Sequence, residues 1–141
     1  MSRILAVDWG ARRVGLAVSD PEGSLARPLP TLLVTGPADA ADRVAEAAER
    51  EGADAIVVGL PLHYSGEEGA SAAKARAMGE ALAGRGFRVV YRDERSSSEE
   101  ARALLRERGE TRPSPERVDQ IAALLLLQEH LDAAAGGRND A

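Results

Sequence analysis

Two apolar segments near the start of the chain are separated by a turn of only four residues. The segments cover residues 3–9 and 14–19, and the turn covers residues 10–13. Short apolar runs bounded by turn residues are typical of strands that are buried on both faces. Because the connection is so short, we expect the two strands to pair as an antiparallel hairpin.

A third strand is predicted around residues 24–34, and the periodicity of the sequence changes after it. Pro28 and Pro30 favour the edge of the sheet for this strand, because proline donates no hydrogen bond to a neighbouring strand. The remaining predicted elements are helices at 38–51, 70–84, 97–108 and 115–133 and strands at 55–60 and 87–92. Strands joined by such crossover helices are parallel. The pattern therefore predicts an α/β fold with a five-stranded mixed sheet, three antiparallel strands followed by two parallel ones, flanked by helices.

The length of 141 residues suits a single domain, which we place at residues 1–135. Residues 136–141 contain two glycines and no core-forming side chain, so we expect this tail to fray. No apolar run approaches the roughly 20 residues of a membrane span, and the first apolar run is too short for a signal peptide. We therefore expect a cytoplasmic protein without a membrane partner.

The chain contains no cysteine and only two histidines, His63 and His130, which lie far apart in the sequence. Thiol nucleophiles, disulfides and cysteine-ligated metals are thereby excluded, and a histidine-rich metal site is disfavoured. Any metal ion would have to be held by oxygen. The formal net charge is −5, so binding of nucleic acid would require a local cluster of basic side chains.

Acidic residues lie at the ends of three predicted elements. Asp8 ends the first strand, Asp93 and Glu94 follow the fifth strand, and Asp119 lies in the last helix on the face expected to pack on the sheet. Ligand crevices form at the carboxyl ends of parallel strands. Because neighbouring strand residues alternate sides, only one of Asp93 and Glu94 can share a site with Asp8. A turn-forming role for Asp8 and a helix-dipole role for Asp119 remain alternatives.

Carboxylates gathered at one edge of a sheet would supply the oxygen ligands that Mg²⁺ or Mn²⁺ prefers. In two-metal phosphodiester hydrolysis, one ion activates a water molecule and the other stabilises the leaving oxygen, so no side-chain nucleophile is needed. This chemistry suits a chain that has no cysteine. The residues alone therefore indicate a metal-dependent hydrolase of phosphate esters.

Four short sequence blocks follow one another in the chain. They are residues 4–20 (Ile-Leu-Ala-Val-Asp-x-Gly-x-x-Arg-Val-Gly-Leu-Ala-Val-Ser-Asp), 58–61 (Val-Gly-Leu-Pro), 93–95 (Asp-Glu-Arg) and 118–123 (Val-Asp-x-x-Ala-Ala). In this order they resemble the YqgF family, also called RuvX-like, and the resemblance covers about residues 3–132. It implies a ribonuclease H-like fold. It also implies a nuclease that processes the 5′ end of precursor 16S ribosomal RNA, with a Holliday junction resolvase acting on branched DNA as the alternative.

The resemblance implies catalytic and metal-binding roles for Asp8, Glu94 and Asp119, with Mg²⁺ or Mn²⁺ as cofactor, and leaves the role of Asp93 open. Departures from the family pattern occur outside these acids. They are Ala11 where threonine is common, His63 where asparagine is common and Arg117 where lysine is usual. The first removes a hydroxyl group from the turn after the first strand, and the last keeps the positive charge.

Several arginines lie near these acids in the sequence or across the predicted sheet end: Arg12, Arg13, Arg95, Arg112 and Arg117. We expect them to form a positive rim that binds the phosphates of a nucleic acid, because arginine suits phosphate geometry. Solvated turn residues are the alternative interpretation. His63 and Tyr64 lie on a loop that could face the same crevice.

Two other functions compete with the nuclease hypothesis. A nucleotide hydrolase of the actin-like group is disfavoured, because such enzymes enclose their nucleotide between two domains and this chain has the length of one. A non-catalytic module that binds ribosomal RNA would not need all three acids. A junction resolvase would act as a homodimer, because two symmetric cuts need two sites.

Overall fold

The computed structural model describes residues 3–10, 12–61, 69–94 and 97–139, and it is built around one mixed sheet. The strands are β1 (Arg3–Asp8), β2 (Arg13–Ser19), β3 (Ala26–Leu33), β4 (Ala53–Pro61) and β5 (Arg88–Glu94), and the helices are α1 (Pro37–Glu51), α2 (Ala70–Gly84), α3 (Ser97–Glu107) and α4 (Pro115–Asn139). The five strands lie in the order β3-β2-β1-β4-β5. The pairs β1–β2 and β2–β3 are antiparallel, whereas β1–β4 and β4–β5 are parallel. The predicted mixed sheet is confirmed.

Strand β3 lies at the sheet edge, as its two prolines predict. Pro28 and Pro30 are both exposed there. The pairing of β2 with β3 shifts register between Val14 and Leu16, so the ladder is irregular at Gly15. This irregularity lies beside the first turns of α4, where the Gln120 side-chain amide donates a hydrogen bond of 3.2 Å to the Leu29 carbonyl.

Helices cover both faces of the sheet. Helices α1 and α2 pack against one face, where large side chains such as Leu5, Leu16 and Ile56 form the main core. Helix α4 packs against the other face. The sheet residues beneath α4 are the small Ala6, Ala17 and Val57, which face Ala123, Leu126 and Leu127 of the helix. Small residues let the helix approach the sheet closely, which brings its N-terminal turns near the carboxyl end of β1.

Strand β5 and helix α4 continue further toward the C-terminus than the sequence pattern predicts. Strand β5 continues through Glu94, because its ladder with β4 extends to the pairs Leu60–Asp93 and Pro61–Glu94. Helix α4 continues past Ala133 to Asn139. The two glycines at 136 and 137 lower helix propensity by about 1 kcal/mol each without ending the helix. Fraying of residues 136–141 stays a prediction.

Within the described ranges, no helix combines the length and the apolar character that crossing a membrane requires.

Candidate active site

Asp8 is the last residue of the central strand β1 and is flanked by glycines on both neighbouring strands. It pairs in register with Gly15 of β2 and with Gly59 of β4. Since strand residues alternate sides, Asp8 lies on the same face as Ala6, which packs beneath α4. Because both register partners are glycines, neither neighbouring strand has a side chain directly beside the half-buried Asp8.

The backbone of α4 touches the sheet beside Asp8, and the contact is made at Gly15. A Cβ atom at Gly15 would lie 2.4 Å from the Asp119 carbonyl oxygen and 3.2 Å from the Asp119 Cβ. Only glycine therefore allows this approach. Because Gly15 is also the register partner of Asp8, one glycine is adjacent to both of these acids.

The Asp119 carboxylate is held by an arginine from the start of β2. Arg13 Nε donates a hydrogen bond of 2.8 Å to Asp119 Oδ2, and the Asp119 side chain is only 18% exposed. The pair lines a cavity of about 270 Å³ together with Gly10 and Arg12. A Cβ at Gly10 would lie 2.4 Å from the Arg13 carbonyl oxygen, so glycine is also needed for the tight turn that delivers Arg13.

The register of β5 separates the two acids at its end. Asp93 pairs with Leu60, which belongs to the core beneath α1 and α2, so Asp93 lies on the face opposite to Asp8 and is exposed there. Glu94 pairs with Pro61 and is the last residue of the strand. Its backbone position is on the same face of β5 as Val90 and Arg92, which is the face beneath α4. The register therefore places the backbone position of Glu94, and not that of Asp93, on the face of Asp8.

The donor chemistry at this edge fits a hard divalent cation. Asp8 and Asp119 offer carboxylate oxygens beside the same glycine, and Mg²⁺ is commonly bound by one or two carboxylates together with water and substrate phosphate. In the part of the chain that the structure describes, no three acidic or histidine side chains are grouped closely enough to hold a metal. The side chain of Glu94 is outside that part, so the predicted third ligand is untested.

The predicted arginine rim is only partly gathered at the site. Arg12 is exposed and lines the cavity, and Arg13 binds Asp119. Arg117 instead faces Glu110, with Nε–Oε1 and Nη2–Oε2 distances of 3.3 Å each. Arg112 is exposed in the connection between α3 and α4. Three further predicted contact residues, Arg95, His63 and Tyr64, lie outside the described residues.

A second basic group on the same face was not predicted from the sequence. Arg92 pairs with Gly59, the residue that also pairs with Asp8. Its Nη2 lies 3.6 Å from Oε1 of Glu129 on α4. Burial, followed by the charges of Arg92 and Arg88, lowers the pKa of His130 below its ordinary value. This group could have been predicted from the sequence, because Arg88, Val90 and Arg92 alternate along β5 and therefore share one face of the strand.

The chain is similar to several curated proteins over nearly its whole length. It matches the RuvX family, described as Holliday junction resolvase, over residues 2–133. A Lactococcus lactis subsp. cremoris (strain MG1363) protein named "Putative pre-16S rRNA nuclease" is 37% identical over 138 residues, covering 95% of this chain and 96% of its own. A Nocardioides sp. protein of the same name is 44% identical over 135 residues, covering 91% and 86%.

Two solved structures of Holliday junction resolvases have a similar fold. Thermus thermophilus RuvC in complex with a Holliday junction substrate superposes with a TM-score of 0.63 at 20% identity, covering 96% of this chain and 97% of that one. The fowlpox virus Holliday junction resolvase has a TM-score of 0.58 at 12% identity, covering 93% and 99%. At these identities the likeness concerns the fold, and it confirms the predicted ribonuclease H-like class.

Proposed function

The chain belongs to the RuvX family of nucleases, and from this membership we propose that it is a metal-dependent endonuclease that processes the 5′ end of precursor 16S ribosomal RNA. The observation that carries the proposal is that Asp8 and Asp119, far apart in the sequence, both adjoin Gly15 near the carboxyl end of the central strand. Carboxylates gathered at this edge are the oxygen ligands that a divalent cation prefers.

Asp8, Asp119 and Glu94 are the residues that would hold Mg²⁺ or Mn²⁺. When bound there, the metal would supply an activated water molecule and neutralise charge on the leaving oxygen. Asp8 fixes the site to the rigid centre of the sheet, and α4 carries Asp119 to it. Arg13 orients the Asp119 carboxylate through the 2.8 Å hydrogen bond, and exposed Arg12 is placed to bind a backbone phosphate of the substrate.

We favour RNA over branched DNA as the substrate because the curated relatives are more similar in sequence to this chain than the solved resolvase structures are. Proteins 35–44% identical to this chain carry the pre-16S rRNA nuclease name. Resolvase activity is the alternative, which the family description favours. It would require a homodimer, because a junction is cut at two symmetric positions. The RNA function requires one site only, and it places the protein in the cytoplasm with its precursor RNA.

The test offers both substrates to the same protein. Wild-type protein and the Asp8→Asn variant are incubated with Mg²⁺ or Mn²⁺ and either a precursor 16S 5′-leader RNA or a four-way DNA junction. Cleavage of the RNA alone, lost in Asp8→Asn, supports the proposal. Symmetric nicking of the junction alone, by a protein that is dimeric in sedimentation, would replace it with the resolvase function. Tight RNA binding without cleavage, and without any effect of metal, would support a non-catalytic RNA-binding module.

A further inference from the structure

Two arginines lie on the α4 face of the edge strand β5. Arg92 is in the row of residues that carries Asp8, and Arg88 is four residues nearer the amino end of the strand, in the row of Ala55. Val90 packs in the cluster beneath α4, so Arg88 and Arg92, two residues away on either side, lie on that same face. In the row across the sheet, Arg92 pairs with Gly59 and Gly59 pairs with Asp8. Two strand spacings, about 10 Å, therefore separate Arg92 from Asp8, and the residue between them has no side chain.

Two buried nitrogen atoms in this region lack hydrogen-bond partners. Within the described ranges, neither Arg92 Nε nor His130 Nδ1 has one. The ion pair of Arg92 with Glu129 spans 3.6 Å, which is too long for a hydrogen bond, and the Glu129 side chain is 66% exposed. The buried Arg92 Nε–H is a donor without an acceptor, which is costly, and an anion that supplied an oxygen here would relieve that cost.

Two arginines lie close to His130. Burial is the main reason that the pKa of this imidazole is below its ordinary value, and the nearby charges of Arg92 and Arg88 lower it further. The chain as a whole carries a net charge of −5, so a locally positive face is a specific feature and does not reflect the overall balance. Arginine suits phosphate because its planar fork of donors matches two phosphate oxygens.

We propose that Arg88 and Arg92 of β5 and His130 of α4 form a phosphate-binding face, which holds the substrate backbone on the far side of Gly59 from Asp8. The inference rests on the proposed nuclease function, since it gives the nucleic-acid strand that reaches the site a second point of attachment. Arg12 and Arg13 lie toward β2, on the other side of Asp8. The nucleic-acid backbone would thus have contacts on both sides of Asp8, at Arg12 toward β2 and at Arg92 and Arg88 along β5.

The experiment measures how RNA affinity depends on salt in an Asp8→Asn background, where cleavage does not interfere. The double variant Arg88→Gln/Arg92→Gln is compared with Arg43→Gln/Arg50→Gln. The latter removes the same charge from α1, on the opposite face of the sheet. Each lost phosphate contact lowers the slope of log affinity against log salt by about 0.7–0.9, so the β5 variant should lose about 1.4–1.8 and the α1 control nothing.

Equal slopes for the β5 variant and the α1 control would overturn the inference. Arg92→Lys, which keeps the charge, should retain most of the wild-type slope and shows whether a loss comes from charge or from misfolding. Precursor RNA and a four-way junction are both titrated, because they offer the same phosphate chemistry, and a reduced slope with either one supports the face. If wild-type protein cleaves RNA but the slopes are equal, only this inference fails. If wild-type protein cleaves neither substrate, the proposed function fails, whatever the slopes show.

Discussion

Replacing Gly15 by alanine tests the contact that brings the two acids together. The new Cβ would lie 2.4 Å from the Asp119 carbonyl oxygen and 2.9 Å from its carbonyl carbon, whereas ordinary van der Waals contact begins at 3.4 Å. The atoms met are backbone, which cannot rotate away. The N-terminal turns of α4 must therefore move by about 1 Å from β2, and Asp119 moves with them.

The expected magnitudes follow from that displacement. Overpacking of this kind costs about 1–3 kcal/mol, and the better intrinsic preference of alanine returns about 0.5–1 kcal/mol, so a net loss of about 1–2 kcal/mol is expected. A displacement of about 1 Å at a reacting centre can cost about 10²-fold in rate. Cleavage should thus fall far more than the population of folded protein, which stays close to complete after such a loss.

The assay pairs urea unfolding with cleavage of the precursor leader RNA. Gly84→Ala is the matched control, because a Cβ at the end of α2 would meet no atom within 4 Å. It should keep wild-type cleavage and be neutral or slightly stabilised. A folded Gly15→Ala protein that cleaves at the wild-type rate would refute the argument that α4 delivers a functional carboxylate through this contact.

Three further predictions concern the charged groups around the site. Arg13→Gln should raise the affinity of Mn²⁺ in calorimetry, because the ion no longer competes with a guanidinium for Asp119; an unchanged or weaker affinity contradicts this. His130 should titrate in NMR below its ordinary pKa of 6.5, and Arg92→Gln should raise that pKa toward normal. Because the pKa of His130 is lower in the folded protein than in the unfolded chain, the unfolded chain binds a proton more readily at this residue. The contribution of His130 to the free energy of unfolding should therefore fall as the pH drops through about 6.5, and in urea unfolding the His130→Gln variant should lack this pH dependence. Arg12→Gln should reduce the salt slope of RNA binding by about 0.7–0.9, and an unchanged slope removes Arg12 from the interface.

The strand directions and the sheet-edge position of β3 could be predicted because they leave local signals. The short turn before β2 predicts an antiparallel neighbour, the prolines of β3 predict an edge strand, and the crossover helices predict parallel strands. Asp8 and Asp119 were noticeable in the sequence because Asp8 ends an apolar run and Asp119 comes just before the most apolar run of the chain. Choosing between Asp93 and Glu94 needed the register of β5 against β4, which depends on packing across the whole sheet.

The partners of the arginines could not be predicted, because they depend on long-range geometry. Arg13 and Asp119 are 106 residues apart in the sequence, and their meeting requires α4 to lie across β2. Arg117 lies beside Asp119 in the sequence, yet it turns toward Glu110. Proximity in the sequence therefore did not predict which arginines lie at the site. The alternation of Arg88 and Arg92 along β5 could be seen in the sequence, but only the register against β4 shows which face of the sheet they share.

The central claim is that the acids on the α4 side of the sheet edge carry out phosphodiester cleavage. Its most direct test is the single-turnover cleavage rate of precursor leader RNA by Asp8→Asn, Glu94→Gln, Asp119→Asn and Asp93→Asn proteins, each shown to be folded. Asp93 is the internal control, since it adjoins Glu94 and lies on the opposite face. The account predicts that the first three substitutions abolish cleavage and that Asp93→Asn leaves it near the wild-type rate. Loss of cleavage in Asp93→Asn with retention in Glu94→Gln, or retention in Asp8→Asn, would contradict it.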